Sequence, residues 1–319
     1  MSNFYTTTHT PVMLSESLQY LQPKAGEVYI DCTFGAGGYS KAILAATNCI
    51  LYSIDQDPEV EYFANRLKMQ VGNRFKFIKG NFADLCELMS AQNIQEVDGI
   101  VLDLGVSSMQ LETADRGFSF MHDSRLDMRM SRHGADAYNF INSSNEEELA
   151  NVIYHYGGEI RSRKIAKKIV EARKIAKIET TLQLANLIRS VVPRGKDKID
   201  SATKTFQAIR IFVNDELEAL KSVLFAAERL LNENGRLVVV SFHSLEDGIV
   251  KAFINERVKP KPPSSRHLPF EADTNFKPTF EWLINKFGKP TIEEIKHNPR
   301  SRSAKVRAAV RINKEKDYV

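Results

Sequence analysis

The chain has 319 residues, 43% of them hydrophobic and 26% charged, which is the composition of a folded globular protein with one large domain or two ordinary ones. No run of about 18 apolar residues occurs, so nothing is expected to span a membrane. Three cysteines, Cys32, Cys49 and Cys86, form no C-x-x-C pair, which excludes a disulfide framework and suits a reducing, cytoplasmic setting. The net charge of +4 is modest, so a polyanionic partner has to be read from where the charges cluster.

The opening MSNFYTTTHTPVML has neither the basic flank nor the apolar run of a secretory signal. His9-Thr10-Pro11-Val12-Met13-Leu14 leads into a short amphipathic helix over 15–21, which Pro23 ends. Val28-Tyr29-Ile30 is a short β-prone run closed by Asp31, then comes Phe34-Gly35-Ala36-Gly37-Gly38, then a helix over 40–46. Strand, glycine loop and helix in that order let a ligand approach the backbone closely, with free N–H groups at the helix start. A second apolar run, 49–54, ends in Asp55, where an adenosine ribose would offer its hydroxyls. These features point to a nucleoside cofactor. The loop is not G-x-G-x-x-G, because Ser40 stands at the third glycine position, and this weakens a nicotinamide or flavin reading. The pattern Asp-x-Thr-Phe-Gly-x-Gly-Gly suits S-adenosylmethionine instead.

Asp57-Pro58 starts a helix to about 69, an acid cap followed by proline in the first turn. Residues 75–78 form a third strand with Asn81-Phe82 at its exit, and 82–89 form a helix. A fourth strand, 97–103, again ends in an acid, Asp103. Strands alternating with helices imply a parallel, doubly wound sheet whose ligands bind at the carboxyl ends of the strands. Asp31, Asp55, Phe82 and Asp103 all fall at such ends.

From 111 to 212 no strand is expected. Ser144 and Glu147 read as a capping box opening a helix to about 156, stopped by Gly157-Gly158. Helices follow over 159–174, over 182–192 with Thr180 as cap, over 203–212, and on to about 231. A strand returns at 236–242, followed by a helix over 245–257 and a proline-rich basic stretch over 260–269. Residues 280–286 and 305–312 read as strands that close the sheet as an antiparallel pair. The predicted organisation is a cofactor domain over 1–110 and 213–319, interrupted by a helical domain over 111–212.

Basic residues gather in three runs. The helix at 159–174 carries Arg161, Arg163, Lys164, Lys167, Lys168, Arg173 and Lys174 against Glu159 and Glu171, with Ile165, Ile169 and Val170 on one side. The others are Arg194, Lys196 and Lys198, and Arg300, Arg302, Lys305 and Arg307. Each run alone could be a solvated surface; three of them beside a nucleoside-cofactor fold favour a nucleic acid substrate.

Several longer stretches carry a family resemblance. They are His9-Thr10-Pro11-Val12-Met13, the run from Asp31 to Ser40, the run from Asp103 to Leu111, Arg116-Gly117-Phe118-Ser119-Phe120, and Leu126-Asp127-Met128-Arg129-Met130. Thr205-Phe206-Gln207-Ala208-Ile209-Arg210, the run from Ser241 to Asp247 and the run from Asn298 to Lys305 complete the set. In this order the chain resembles the MraW family of bacterial 16S rRNA cytosine-N4 methyltransferases. The resemblance implies a Rossmann-like class I S-adenosylmethionine-dependent methyltransferase sheet with an inserted all-helical domain. It also implies methyl transfer to the exocyclic N4 of one cytosine in the decoding centre. Cofactor contacts are implied at Gly37, Gly38, Tyr39, Asp55, Phe82, Asp103 and Gln110, with Asp55 on the ribose and Phe82 against the adenine.

For catalysis, Asp103 or a nearby carbonyl would accept an N4 hydrogen, against the reading that Asp103 only contacts the cofactor. His243, at the exit of the fifth strand, would contact the base or serve as a structural histidine. Arg161, Lys164, Lys167, Lys168, Arg300 and Arg302 are the candidate RNA contacts, and no metal is expected. The expected partner is 16S rRNA within the small ribosomal subunit, with no membrane and with a homodimer left open. A nicotinamide oxidoreductase lacks its third glycine and a catalytic Tyr-x-x-x-Lys near the site, and a noncatalytic RNA-binding module would not need the glycine loop and Asp55 together.

Overall fold

The computed structural model describes residues 11–193, 200–260 and 276–313. His9-Thr10, the basic run at 194–198 and most of the proline-rich stretch at 260–269 lie outside the described residues. The chain divides into two compact units, Met1–Gly105 with Glu218–Val319, and Val106–Leu217.

The first unit opens with α1 (Leu14–Leu21), which turns at Gln22 in the left-handed region. There follow β1 (Val28–Asp31), α2 (Gly38–Ala46) and β2 (Ile50–Asp55). A 3₁₀ turn at Pro58–Val60, capped by the Asp57 carboxylate accepting Glu59 N–H at 3.0 Å, leads into α3 (Glu61–Val71). Next come β3 (Phe75–Lys79), a 3₁₀ turn at Phe82–Asp84, α4 (Leu85–Ser90) and β4 (Val97–Asp103).

The inserted unit holds α5 (Ser108–Glu112), α6 (Ala137–Ser143), α7 (Glu146–Gly157), α8 (Ser162–Ile175), α9 (Thr181–Val191) and α10 (Thr203–Val213). No named strand occurs among its described residues, only an isolated bridge between Arg125 and Thr180. Helix α11 (Glu216–Leu230) leads back to β5 (Leu231–Ser241), α12 (Ser244–Val258), β6 (Phe280–Trp282), α13 (Ile292–His297) and β7 (Lys305–Arg311).

The strands make one seven-stranded sheet in the order β3-β2-β1-β4-β5-β7-β6. The first five strands pair in parallel, while β7 runs antiparallel to both β5 and β6. Pairing of β4 with β5 jumps from Val97–Leu231 to Gly99–Arg236, and Asn234 within that bulge takes a φ of 69°. Ile30, Ile54, Ile100, Leu102 and Val239 on the sheet pack with Leu85 and Met89 of α4, Leu224 and Ala227 of α11, and Val250 and Ile254 of α12. No helix of the described residues is long and apolar enough to cross a membrane.

The inserted unit has its own core. Ile165, Ala166 and Ile169 of α8 are buried with Leu149 and Ile153 of α7, Leu184 and Ile188 of α9, and Phe206 and Ile209 of α10. Each such isoleucine contributes about 1.5–3 kcal/mol by leaving water. The cap of α7 differs from expectation. Ser144 closes α6, its N–H donating to Phe140 O, and Asn145 becomes the cap, its carboxamide accepting Glu148 N–H at 2.8 Å. The sequence pattern carries no signal for α6, so the residue that ends it resembles the start of the next helix.

Candidate active site

The glycine loop is built from local pieces. Gly35 and Gly37 adopt φ of 52° and 78°, which glycine takes without strain. Phe34 anchors the loop against Phe75 and Phe77 of β3, with ring centroids at 5.7 and 5.3 Å. At the tip of β2 the Asp55 carboxylate accepts Gly35 N–H at 2.8 Å and Asp57 N–H at 2.9 Å, so it shapes the loop it faces. Gly38 and Tyr39 open α2, whose first-turn N–H groups have no intrahelical acceptor.

Asp31, at the tip of β1, accepts Ser40 Oγ–H at 2.6 Å and Thr33 N–H at 3.1 Å, and Ser40 Oγ lies 2.7 Å from Ser53 Oγ. Thr33 in turn accepts Asp103 N–H at 2.7 Å, which joins the tips of β1 and β4. Burial pushes the carboxyls of Asp31 and Asp55 up to about 6, against the pull of these hydrogen bonds. Asp103 is raised well above the usual carboxylate range by burial and then by the charges of Asp31, Glu246 and Glu294. Its Oδ1 is buried with no hydrogen-bond partner among the described residues. Phe82, in the 3₁₀ turn after β3, is half-buried against the sheet core.

So Gly37, Gly38, Asp55, Phe82 and Asp103 gather at adjacent strand tips of one unit. The side chain of Tyr39 does not join them. It is buried, with Oη donating to Val12 O at 2.5 Å and lying 3.1 Å from Ser17 Oγ, so only its backbone serves the loop. Gln110 belongs to the inserted unit, where it forms a capping box with Ser107 at the start of α5. His243 is the cap of α12. Its Nδ1 accepts Glu246 N–H at 3.4 Å, its Nε2 lies 3.1 Å from Glu246 Oε1, and Glu246 Oε2 accepts Phe242 N–H at 2.8 Å.

The basic candidates divide similarly. Lys164, Lys167 and Lys168 are exposed on α8. Arg161 is half-buried and donates to Val191 O at 3.0 Å, which makes it a staple between α8 and α9. Arg173 is likewise tied to Ile141 O and Ser144 O. Arg300 and Arg302 are exposed on the 3₁₀ turn Pro299–Ser303. Lys305 and Arg307 are not available in that way, because both bond Asp247, at 2.7 and 2.6 Å. No group of three or more His, Cys, Asp and Glu side chains among the described residues could hold a metal.

The residues present fit a nucleoside cofactor carrying hydroxyls at one end and positive charge at the other. A carboxylate stands at the tip of β2, a side-chain-free helix start faces the loop, and Asp103 Oδ1 awaits a partner. Together with the strand order and the reversed β7, this defines a class I S-adenosylmethionine-dependent methyltransferase. A family profile described as the MraW methylase family matches residues 6–312. The chain is 51% identical to "Ribosomal RNA small subunit methyltransferase H" of a Wolbachia from Drosophila simulans, over 96% of this chain and 100% of that protein. It is 52% identical to the protein of the same name from Rickettsia conorii, over 95% and 97%. A solved structure, TrmN from Thermus thermophilus, is similar with a TM-score of 0.43 at 11% identity, covering 97% of this chain and 51% of that one, and adds nothing to the strand order. The chain belongs to the MraW methylase family.

Proposed function

We propose that this enzyme transfers a methyl group from S-adenosylmethionine to the exocyclic N4 of one cytosine in the decoding centre of small-subunit (16S) rRNA. The reading is carried by 51% identity, along nearly the whole chain, to a small-subunit rRNA methyltransferase. In the same reading the substrate is the rRNA within the small ribosomal subunit, the compartment is the cytoplasm, and a second copy of the chain is an admissible partner.

When bound, S-adenosylmethionine supplies an electrophilic methyl group on a sulfonium. Asp55 holds the ribose hydroxyls, the N–H groups of Gly38 and Tyr39 receive the carboxylate end, and Phe82 lies along the adenine. Most of the rate enhancement comes from holding N4 in line. The N4 lone pair is delocalised into the ring, and N4 sheds one proton as it gains the methyl group. Asp103, whose Oδ1 is buried with no hydrogen-bond partner among the described residues, accepts that proton in its ionised form. His243 acts at one remove, fixing the start of α12 and the backbone of Phe242. The cytosine has to leave its stack to reach this place; the exposed Lys164, Lys167 and Lys168 on the inserted unit and, separately, the exposed Arg300 and Arg302 on the first unit are the candidate phosphate contacts.

The test is to incubate purified protein and S-adenosylmethionine with small ribosomal subunits from cells lacking the enzyme, then map modified nucleotides by mass. One decoding-centre cytosine should gain one methyl group; methylation elsewhere, or none, refutes the reading. Asp103→Ala separates the two roles of that residue. Retained cofactor affinity with lost methylation identifies a proton acceptor, and lost affinity identifies a cofactor contact alone.

A further inference from the structure

Pro11-Val12-Met13 forms a strap between the glycine loop and the C-terminal helix α13, and the mechanism above makes no use of it. The strap presses on the loop at Gly38, where an added Cβ would sit 2.1 Å from Pro11 Cγ. The proline ring thus occupies the space beside the first residue of α2, and α2 cannot start as it does with a larger residue there. One residue on, Tyr39 Oη donates to Val12 O at 2.5 Å, so the buried phenol ties the helix to the strap a second time. Met13 then takes a left-handed backbone, φ 53° and ψ 33°, as the cap of α1, with no side-chain cap bond. A non-glycine residue in that region is strained and is kept only where neighbouring contacts over-determine it.

The far end of the strap carries such a contact. Met13 N–H donates to Glu294 Oε1 at 2.7 Å, across 281 residues of chain. Glu294 is itself placed by Thr291, whose Oγ1 accepts Glu294 N–H at 3.1 Å. Gly288, where an added Cβ would fall 2.5 Å from Val306 Cγ1, lies in ordinary van der Waals range of Met13 Cε, 3.5 Å from that Cβ position. Met13 is 1% exposed, so its N–H has no access to water that could replace the carboxylate.

We infer that Glu294 is a positioning residue for methyl transfer: by accepting Met13 N–H it seats the strap on α2 and fixes the backbone of Gly37, Gly38 and Tyr39. This rests on the reading of those three residues as the cofactor loop. Two properties of Glu294 are separable, its acceptor oxygen and its charge, because glutamine keeps the first and loses the second. The inference assigns the effect to the oxygen.

The experiment is calorimetric titration of S-adenosylhomocysteine into the wild-type protein, Glu294→Ala and Glu294→Gln, with steady-state methylation alongside. Glu294→Ala should bind about tenfold more weakly, the loss expected for one charge-assisted hydrogen bond partly relaxed. The KM for S-adenosylmethionine should rise by a similar factor while kcat changes little. Glu294→Gln should stay near wild type in both. Hydrogen exchange on the wild-type protein gives a measure independent of whether the alanine variant folds. Saturating S-adenosylhomocysteine should slow exchange at the Met13 amide together with the first turn of α2. Wild-type affinity in Glu294→Ala, a glutamine variant as weak as alanine, or a Met13 amide indifferent to ligand would each overturn the inference while leaving the proposed function standing. A wild-type protein that does not bind S-adenosylhomocysteine would remove both.

Discussion

At the strand tips of the first unit, the carboxylates of Asp31 and Asp55 accept a hydroxyl and backbone N–H groups, Asp103 Oδ1 is buried without a hydrogen-bond partner, and none of the three acids is paired with a basic side chain among the described residues. In the inserted unit the carboxylates meet arginines: Asp127 with Arg129 at 2.8 Å, Asp136 with Arg125 at 2.9 Å, and Glu216 with Arg210 at 2.7 Å. The consequences run in opposite directions. The strand-tip acids are raised, whereas Asp127, for all its burial, is held below the usual range by the hydrogen bonds and charge of Arg129. The difference is one of partner and not of unit. Asp247 in the first unit, bonded to Arg307 and Lys305, is lowered as well, its partners outweighing its burial. A buried acid satisfied by an arginine is a structural staple; one left with spare acceptor capacity is suited to a ligand that brings hydroxyls or positive charge.

The comparison can be broken at either side. The largest effect belongs to a buried arginine of the inserted unit. Arg116 is 1% exposed, donates to Arg129 O and Met130 O at 2.9 Å each and lies 5.6 Å over the Phe118 ring. Arg116→Ala should destabilise the inserted unit by about 4 kcal/mol, read by chemical denaturation, since two buried carbonyls lose partners and a cavity opens. Next comes Asp55→Ala, expected to weaken S-adenosylmethionine binding about 100-fold in calorimetry as two hydrogen bonds that shape the loop are lost. Unchanged affinity there would reduce the strand-tip acids to packing.

A smaller effect is expected at the surface of α8. Replacing Lys164, Lys167 and Lys168 by alanine should weaken RNA binding about tenfold and lower the log–log salt slope by about 2, with the melting temperature unmoved. An unaltered slope would take the RNA contact away from this helix.

The smallest is a pH effect with two signs. Asp31 and Asp55, raised from 3.8 to about 6, bind protons in the folded protein that the unfolded chain releases. Their contribution to stability is therefore full below about 3.8 and is lost as pH rises through about 6. Cofactor affinity should move the other way, rising a few-fold over the same window as the acids ionise to meet the cofactor. Melting temperature and calorimetric affinity measured across that window check both signs, and parallel slopes would contradict the assignment.

Much of this architecture was legible because its signals are local. A glycine loop between strand and helix, and an acid closing the first, second and fourth strands, are local signals, so the sequence alone places Asp31, Asp55, Phe82 and Asp103 at the carboxyl ends of the strands. The alternation of strand and helix, its loss between 111 and 212 and its return at β5 were equally a matter of period. What could not be read from the chain was the commitment of individual side chains. Tyr39 carries an aromatic ring beside the loop, yet the ring turns to Val12. Arg161 stands in a basic run, yet it bonds Val191 O. His243 follows a strand tip, yet it caps α12. In each case the partner comes from packing or a cap geometry that leaves no mark on charge or hydrophobic pattern. The bond from Met13 to Glu294 is the extreme instance, because only the closing of the sheet by β7 brings residues so distant in sequence within 2.7 Å.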